Sequence, residues 1–167
     1  DNFKSDVTEE VKNFYTKNPF PSYEKFEGIN DLINKANEGL YAKLLNDQIP
    51  FNTNILEVGC GTGQLSNYLG LASRSVVGVD MCLKSLEIAE AFRKRNEINN
   101  TQFYQMNLFN PIFSPNSFHF VICQGVLHHT SDPYLGFQAI AKMVKKNGYI
   151  VLGLYNRYGR LITDFRR

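Results

Sequence analysis

The sequence predicts a doubly wound α/β domain with a mostly parallel, Rossmann-like sheet, set behind an N-terminal helical extension. From residue 53 onward, short β-branched or aliphatic runs alternate with helical patterns, a rhythm that implies right-handed crossovers between parallel strands. The run Phe118 to Cys123 is almost wholly apolar, as a strand covered on both faces requires. A glycine turn, Gly59-Cys60-Gly61-Thr62-Gly63, follows the first of these runs directly.

Along the chain, Val7, Val11, Phe14 and Tyr15 recur at helical spacing over 5–17, with Ser5 placed to cap that helix. Pro19 and Pro21 then hold "NPFPSY" extended. A second helix is expected over 31–47, on a stripe of Leu32, Ile33, Ala36, Leu40, Leu44 and Leu45. Strands follow at 54–58, 76–80, 101–106, 118–123 and 148–154, with helices between them at 63–71, 83–96 and 134–146. The division expected is a helical extension over 1–50 and a ligand-binding α/β domain over 51–167.

A chain of 167 residues, 43% hydrophobic and 20% charged, is one domain's worth of globular protein. A formal charge of +2 is too small to indicate nucleic acid or an acidic membrane as the partner. The three cysteines form no CxxC pair and no zinc-spaced cluster, so no metal is expected. Free thiols in a reducing compartment, the cytoplasm, are the reading. No apolar run approaches the roughly 18 residues that a membrane span needs.

The glycine turn is GxGxG. The dinucleotide fingerprint would place a third glycine at Gln64, and no Gly-Lys-Ser/Thr follows, so neither phosphate-binding motif fits. Glu57, two residues before the first glycine, would repel a phosphate but favours a cation. Asp80 ends the second strand in "VVGVD", where a carboxylate can take both hydroxyls of a ribose in a forked hydrogen bond. Met81 follows, placed to lie against a purine face.

"ILEVGCGTGQL" with "VVGVD" resembles the first two motifs of the class I S-adenosylmethionine-dependent methyltransferases. The likeness continues through "FHFVICQGVLHHTSDP" and "VKKNGYIVLGLYN", covering residues 53–156. The resemblance implies an enzyme that binds S-adenosyl-L-methionine and methylates a small-molecule or protein acceptor. The other readings weighed are a non-catalytic module of the same fold and an NAD(P)-dependent oxidoreductase. It implies that backbone at Gly59, Cys60, Gly61 and Gly63 approaches the methionine portion where any Cβ would clash. Glu57 would set the polarity there, and Gln124 and Gly125 would border the same portion. Asn107, with Leu108 after it, falls where the family presents a polar residue to the adenine amino group; a strand-end turn is the equal alternative. His119 departs from the family pattern and is expected to matter only locally.

His128 and His129 follow the fourth strand at the mouth of the expected pocket. Either can serve as a general base if the acceptor must lose a proton; otherwise they order the loop. The N-terminal aromatics Phe14, Tyr15, Phe20, Tyr23 and Phe26 suggest a lid over residues 1–26 that orders when cofactor binds, with Tyr15 or Tyr23, Tyr23 foremost, facing the sulfonium. Packing of an amphipathic helix is the plainer alternative. The family sheet usually has seven strands, and this chain stops just past the fifth. A piece of a longer protein is therefore expected.

Overall fold

The computed structural model describes residues 12–23 and 28–156. Ser5, Val7, Val11 and Phe26, and with them most of the first expected helix, lie outside the described residues. Residues 12–17 are helical. The remaining elements are α1 (Ile29–Glu38), α2 (Leu40–Gln48), β1 (Asn54–Val58), α3 (Gln64–Gly70), β2 (Ser75–Asp80), α4 (Leu83–Arg95), β3 (Thr101–Gln105), β4 (Phe118–Gln124), a 3-10 turn (Leu127–His129), α5 (Pro133–Ala141) and β5 (Val144–Gly153).

The five strands form one parallel sheet in the order β3-β2-β1-β4-β5. The order reverses between β1 and β4, so the loops leaving those two strands flank the crevice at the topological switch point. Alternation along the strands loads both faces. Ile55, Val76 and Ile122 join Leu32, Leu69 and Phe92 of α1, α3 and α4 in one core. Leu56, Val79 and Val121 join Ile140 and Met143 in the other, under α5.

Two expectations about helices are corrected. The single helix over 31–47 is two, because Gly39 is extended (φ −88°, ψ 101°) and turns the chain between α1 and α2. The stripe therefore does not run through: Leu32 and Ala36 are buried, while Leu40 and Leu44 are exposed. The helix expected to reach 146 stops at Ala141, because β5 takes up the chain from Val144. That early start goes with a bulge, Phe118 pairing with Val144 but Phe120 with Tyr149.

His119, the departure in β4, accepts a hydrogen bond on Nδ1 from the Asn54 backbone N–H at 2.9 Å, and its Nε2 lies 3.4 Å from Lys145 Nζ. It thus ties β1 and β5 to β4. Arg74, 2% exposed, fixes the same end of the sheet, where Asn54 pairs with Ser75. Its guanidinium donates to Asn46 Oδ1, to the Asn46 and Ile49 carbonyls and to the Pro50 carbonyl, holding the exit of α2 against the start of β2.

Candidate functional site

The loop after β1 hangs on its neighbour strand: the N–H groups of Gly59 and Cys60 both donate to the Val79 carbonyl, at 2.8 and 3.0 Å. Asp80 closes the arrangement. Its Oδ2 accepts from the Gly61 N–H at 2.9 Å and its Oδ1 from the Cys82 N–H at 2.8 Å. Each oxygen keeps a further lone pair for a ligand hydroxyl. Burial raises the Asp80 pKa, and the backbone donors of Cys82, Gly61 and Met81 pull it back.

The glycines serve the protein's own packing, which corrects the expectation that a ligand fills the space of their missing Cβ atoms. Gly59, Gly61 and Gly63 all have positive φ. A Cβ on Gly59 would meet Val126, and one on Gly63 would meet Phe103 and Ala89. One on Gly61 would lie 2.2 Å from the Phe20 carbonyl oxygen. Gly125 is different: its φ is +71° and nothing lies within 4 Å of where its Cβ would be.

Residues 18–22 run over this loop as a strap. The Thr62 N–H donates to the Phe20 carbonyl at 3.2 Å, Thr62 Oγ1 to the Pro21 carbonyl at 2.5 Å, and Gln64 Nε2 to the Ser22 carbonyl at 2.9 Å. Tyr23, the expected sulfonium contact, instead points into the core. Its ring stacks on Phe92 with centroids 4.4 Å apart, and its hydroxyl accepts from Asn67 Nδ2. Burial pushes its pKa above the ordinary range.

A cavity of about 350 Å³ occupies the crevice. Of the residues singled out from the sequence, it is lined by Tyr15, Phe20, Gly59, Gly61, Asp80, Met81, Asn107, Leu108, Gln124, Gly125 and His129. Asn107 also makes the strand-end turn, its Oδ1 accepting from the Phe109 N–H at 3.0 Å. Glu57 and Cys60 face a separate cavity on the α1–α2 side. Glu57 accepts from Ser66 Oγ at 2.5 Å, and burial pushes its pKa up to about 7 against that hydrogen bond. Burial likewise raises the Cys60 thiol, with Glu57 and Asp80 adding to the shift. Gly63 and Tyr23 line neither cavity.

The histidine pair divides. His129 lines the crevice, whereas His128 packs its ring on Tyr155, centroids 3.8 Å apart. The loop is also held by Thr130 Oγ1 donating to the Leu127 carbonyl and by Asp132 Oδ1 capping α5 through the Leu135 N–H. Sequence reading missed Tyr155, Ser85 and Thr130, which also line the crevice. Only Tyr155 carried a signal, as an aromatic just past the end of the fifth strand.

Among the described residues lining the crevice, the one carboxylate is Asp80 and there is no Lys or Arg. This donor set suits a ligand with ribose hydroxyls and a positive charge better than one with a pyrophosphate. Among the described residues there is also no cluster of potential metal ligands, and no helix is long and apolar enough to cross a membrane.

A family model described as a methyltransferase domain matches residues 56–152. A ubiquinone biosynthesis O-methyltransferase of Paracidovorax citrulli is 32% identical over 104 residues, 62% of this chain and 44% of that protein. An uncharacterised Synechococcus protein is 31% identical over 109 residues, 64% of this chain and 26% of its own length. The chain thus spans less than half of either relative. Among solved structures, an S-adenosylmethionine-dependent methyltransferase of Methanosarcina mazei superimposes with TM-score 0.66 at 23% identity, over 74% of this chain and 62% of that one. The cyclase SpnF gives 0.69 at 15% identity, over 85% and 58%. These two likenesses are of fold alone.

Proposed function

The chain belongs to the methyltransferase-domain family, of the class I S-adenosylmethionine-dependent kind, and from that premise we propose that it transfers a methyl group from S-adenosylmethionine to a small molecule. The observation that carries this is the crevice at the switch point, in which, among the described residues, Asp80 is the one carboxyl group and there is no Lys or Arg for a phosphate. When bound, the cofactor supplies an electrophilic methyl on a sulfonium. Asp80 offers its free lone pairs to ribose hydroxyls, and its two backbone hydrogen bonds fix its orientation beforehand. Met81 and Leu108 supply apolar surface for a purine, with Asn107 beside them. Gln124, Gly125 and the backbone of Gly59 and Gly61 border the methionine portion.

Transfer is an in-line displacement in which holding the acceptor close supplies much of the acceleration. His129 is the histidine that lines the crevice, so it can take a proton from an acceptor hydroxyl that reaches past Gln124 into that space. Residues 1–50 act as the cover of the site, with the strap at 18–22 bonded to the glycine loop as the part on which that reading stands. The buried free thiols of Cys60, Cys82 and Cys123 suit the reducing cytoplasm. The likeness to an O-methyltransferase favours a hydroxyl as the accepting group.

Calorimetric titration with S-adenosylhomocysteine and, separately, with NADH tests the cofactor. The first is expected to bind at one site per chain and the second not at all. Binding of NADH alone would return the fold to oxidoreductase chemistry, and binding of neither would make it an interaction module.

A further inference from the structure

The second cavity, of about 290 Å³, lies against the other side of the strap. It shares Phe20, Gly59, Gly61 and Gln124 with the crevice, so the two spaces meet at the glycine loop. The groups assigned to ribose and base, Asp80, Met81 and Asn107, all lie in the crevice and none of them in the second cavity. The second cavity is walled mainly by apolar and aromatic side chains of α1, α2 and α3, among them Leu32, Ala36, Ala42, Leu65 and Tyr68. Its polar members are few, and Lys35 on α1 is the one Lys or Arg among the described residues lining either cavity.

We infer that this second cavity is the acceptor site, and that the acceptor is a small molecule with an apolar, ring-sized body and an anionic substituent paired with Lys35. The inference rests on the methyltransferase reading. Methyl transfer needs an acceptor space contiguous with the cofactor space, and the contact at Gly59, Gly61 and Gln124 provides it. A volume near 290 Å³ lies at the lower end of small-molecule sites, which run from about 300 Å³ upward. Glu57 is the one carboxyl in this cavity, and burial favours its neutral form. An anion held by the exposed Lys35 thus meets little opposing charge. Apolar walls select the body and a lone cation selects the charge.

The probe is 2-naphthoate, a flat apolar body with one carboxylate, compared with its uncharged amide. Both are titrated calorimetrically into the protein already saturated with S-adenosylhomocysteine. Naphthoate is expected to bind at one site per chain, at least fivefold tighter than the amide. Lys35→Gln should remove that preference, and Ala42→Phe, which fills the cavity, should abolish binding of both. S-adenosylhomocysteine should bind each variant within about twofold of the parent, which also shows that the variants are folded. Competition between naphthoate and S-adenosylhomocysteine would assign the second cavity to the cofactor and overturn the inference, leaving the methyltransferase reading intact. Absence of naphthoate binding, or binding that Ala42→Phe does not change, would also overturn it. If the parent chain fails to bind S-adenosylhomocysteine, the underlying reading falls and this one with it.

Discussion

Two glycine substitutions separate packing from ligand space. Gly61 and Gly125 both have positive φ, +54° and +71°, so alanine at either position carries a backbone strain of about 1–2 kcal/mol. At Gly125 that is the whole effect on stability, because the new methyl meets nothing within 4 Å. At Gly61 the methyl lies 2.2 Å from the Phe20 carbonyl oxygen, and the strap must lift by roughly an ångström. That movement breaks the Thr62 N–H bond to Phe20 and strains the Thr62 hydroxyl bond to Pro21. Losing them adds about 1–3 kcal/mol at the usual net worth of a hydrogen bond. Gly61→Ala should therefore melt below Gly125→Ala by roughly 3–10 °C in a chain of this size, read by circular dichroism. The ligand effect should run the other way: Gly125→Ala places its methyl in the open crevice and should weaken S-adenosylhomocysteine binding at least tenfold. Equal melting temperatures would refute the seating of the strap on Gly61. An unchanged affinity in Gly125→Ala would remove that position from the ligand space.

Three further outcomes follow from the same geometry. Asp80→Ala removes the acceptor of two backbone N–H groups and should weaken S-adenosylhomocysteine binding by about 1.5–3 kcal/mol in calorimetry; unchanged affinity in a folded variant would take Asp80 out of the site. Arg74→Met leaves the Asn46, Ile49 and Pro50 carbonyls without their donor and should cost about 3–5 kcal/mol in urea unfolding, and a loss below about 1 kcal/mol would contradict the anchoring role. Burial raises the Glu57 pKa from 4.5 to about 7, so the folded state disfavours its ionised form. Its contribution to stability is fully present below pH 4.5 and is lost as pH rises toward about 7, amounting to about 3 kcal/mol. Glu57→Gln, which keeps an acceptor for Ser66, should flatten that slope, and parallel stability curves for the two proteins would rule the assignment out.

The sheet was legible because its signals are local. Ile55 and Leu56, or Val121 and Ile122, are adjacent residues that must each find a covered face, and a continuous apolar run announces both cores at once. The helices were less legible where one residue decided the geometry. The apolar spacing of Leu32, Ala36, Leu40 and Leu44 reads through Gly39, since periodicity carries no record of a single extended residue between two helical ones. The bulge in β5 was equally hidden, because Lys145, Lys146 and Asn147 look like a helix end until the pairing of Phe118 with Val144 is known.

The site divides along the same line. Asp80, Met81, Asn107 and Gly125 sit at the carboxyl ends of parallel strands, and any sequence that reveals the strands also reveals those positions. Contacts between segments far apart in the chain were not readable. Tyr23 and Phe20 are three residues apart in one aromatic-rich stretch, and composition treats them alike. Yet Tyr23 is drawn into the core by Phe92 and Asn67, while Phe20 stays at the loop because Thr62 holds its carbonyl. The same bond explains Gly61 without a ligand: the missing Cβ leaves room for the strap, and the strap stands between two cavities that share Gly59, Gly61 and Gln124. A glycine-rich turn at a switch point is therefore not by itself a record of ligand contact. In this chain the crevice glycine whose missing side chain leaves open space is Gly125.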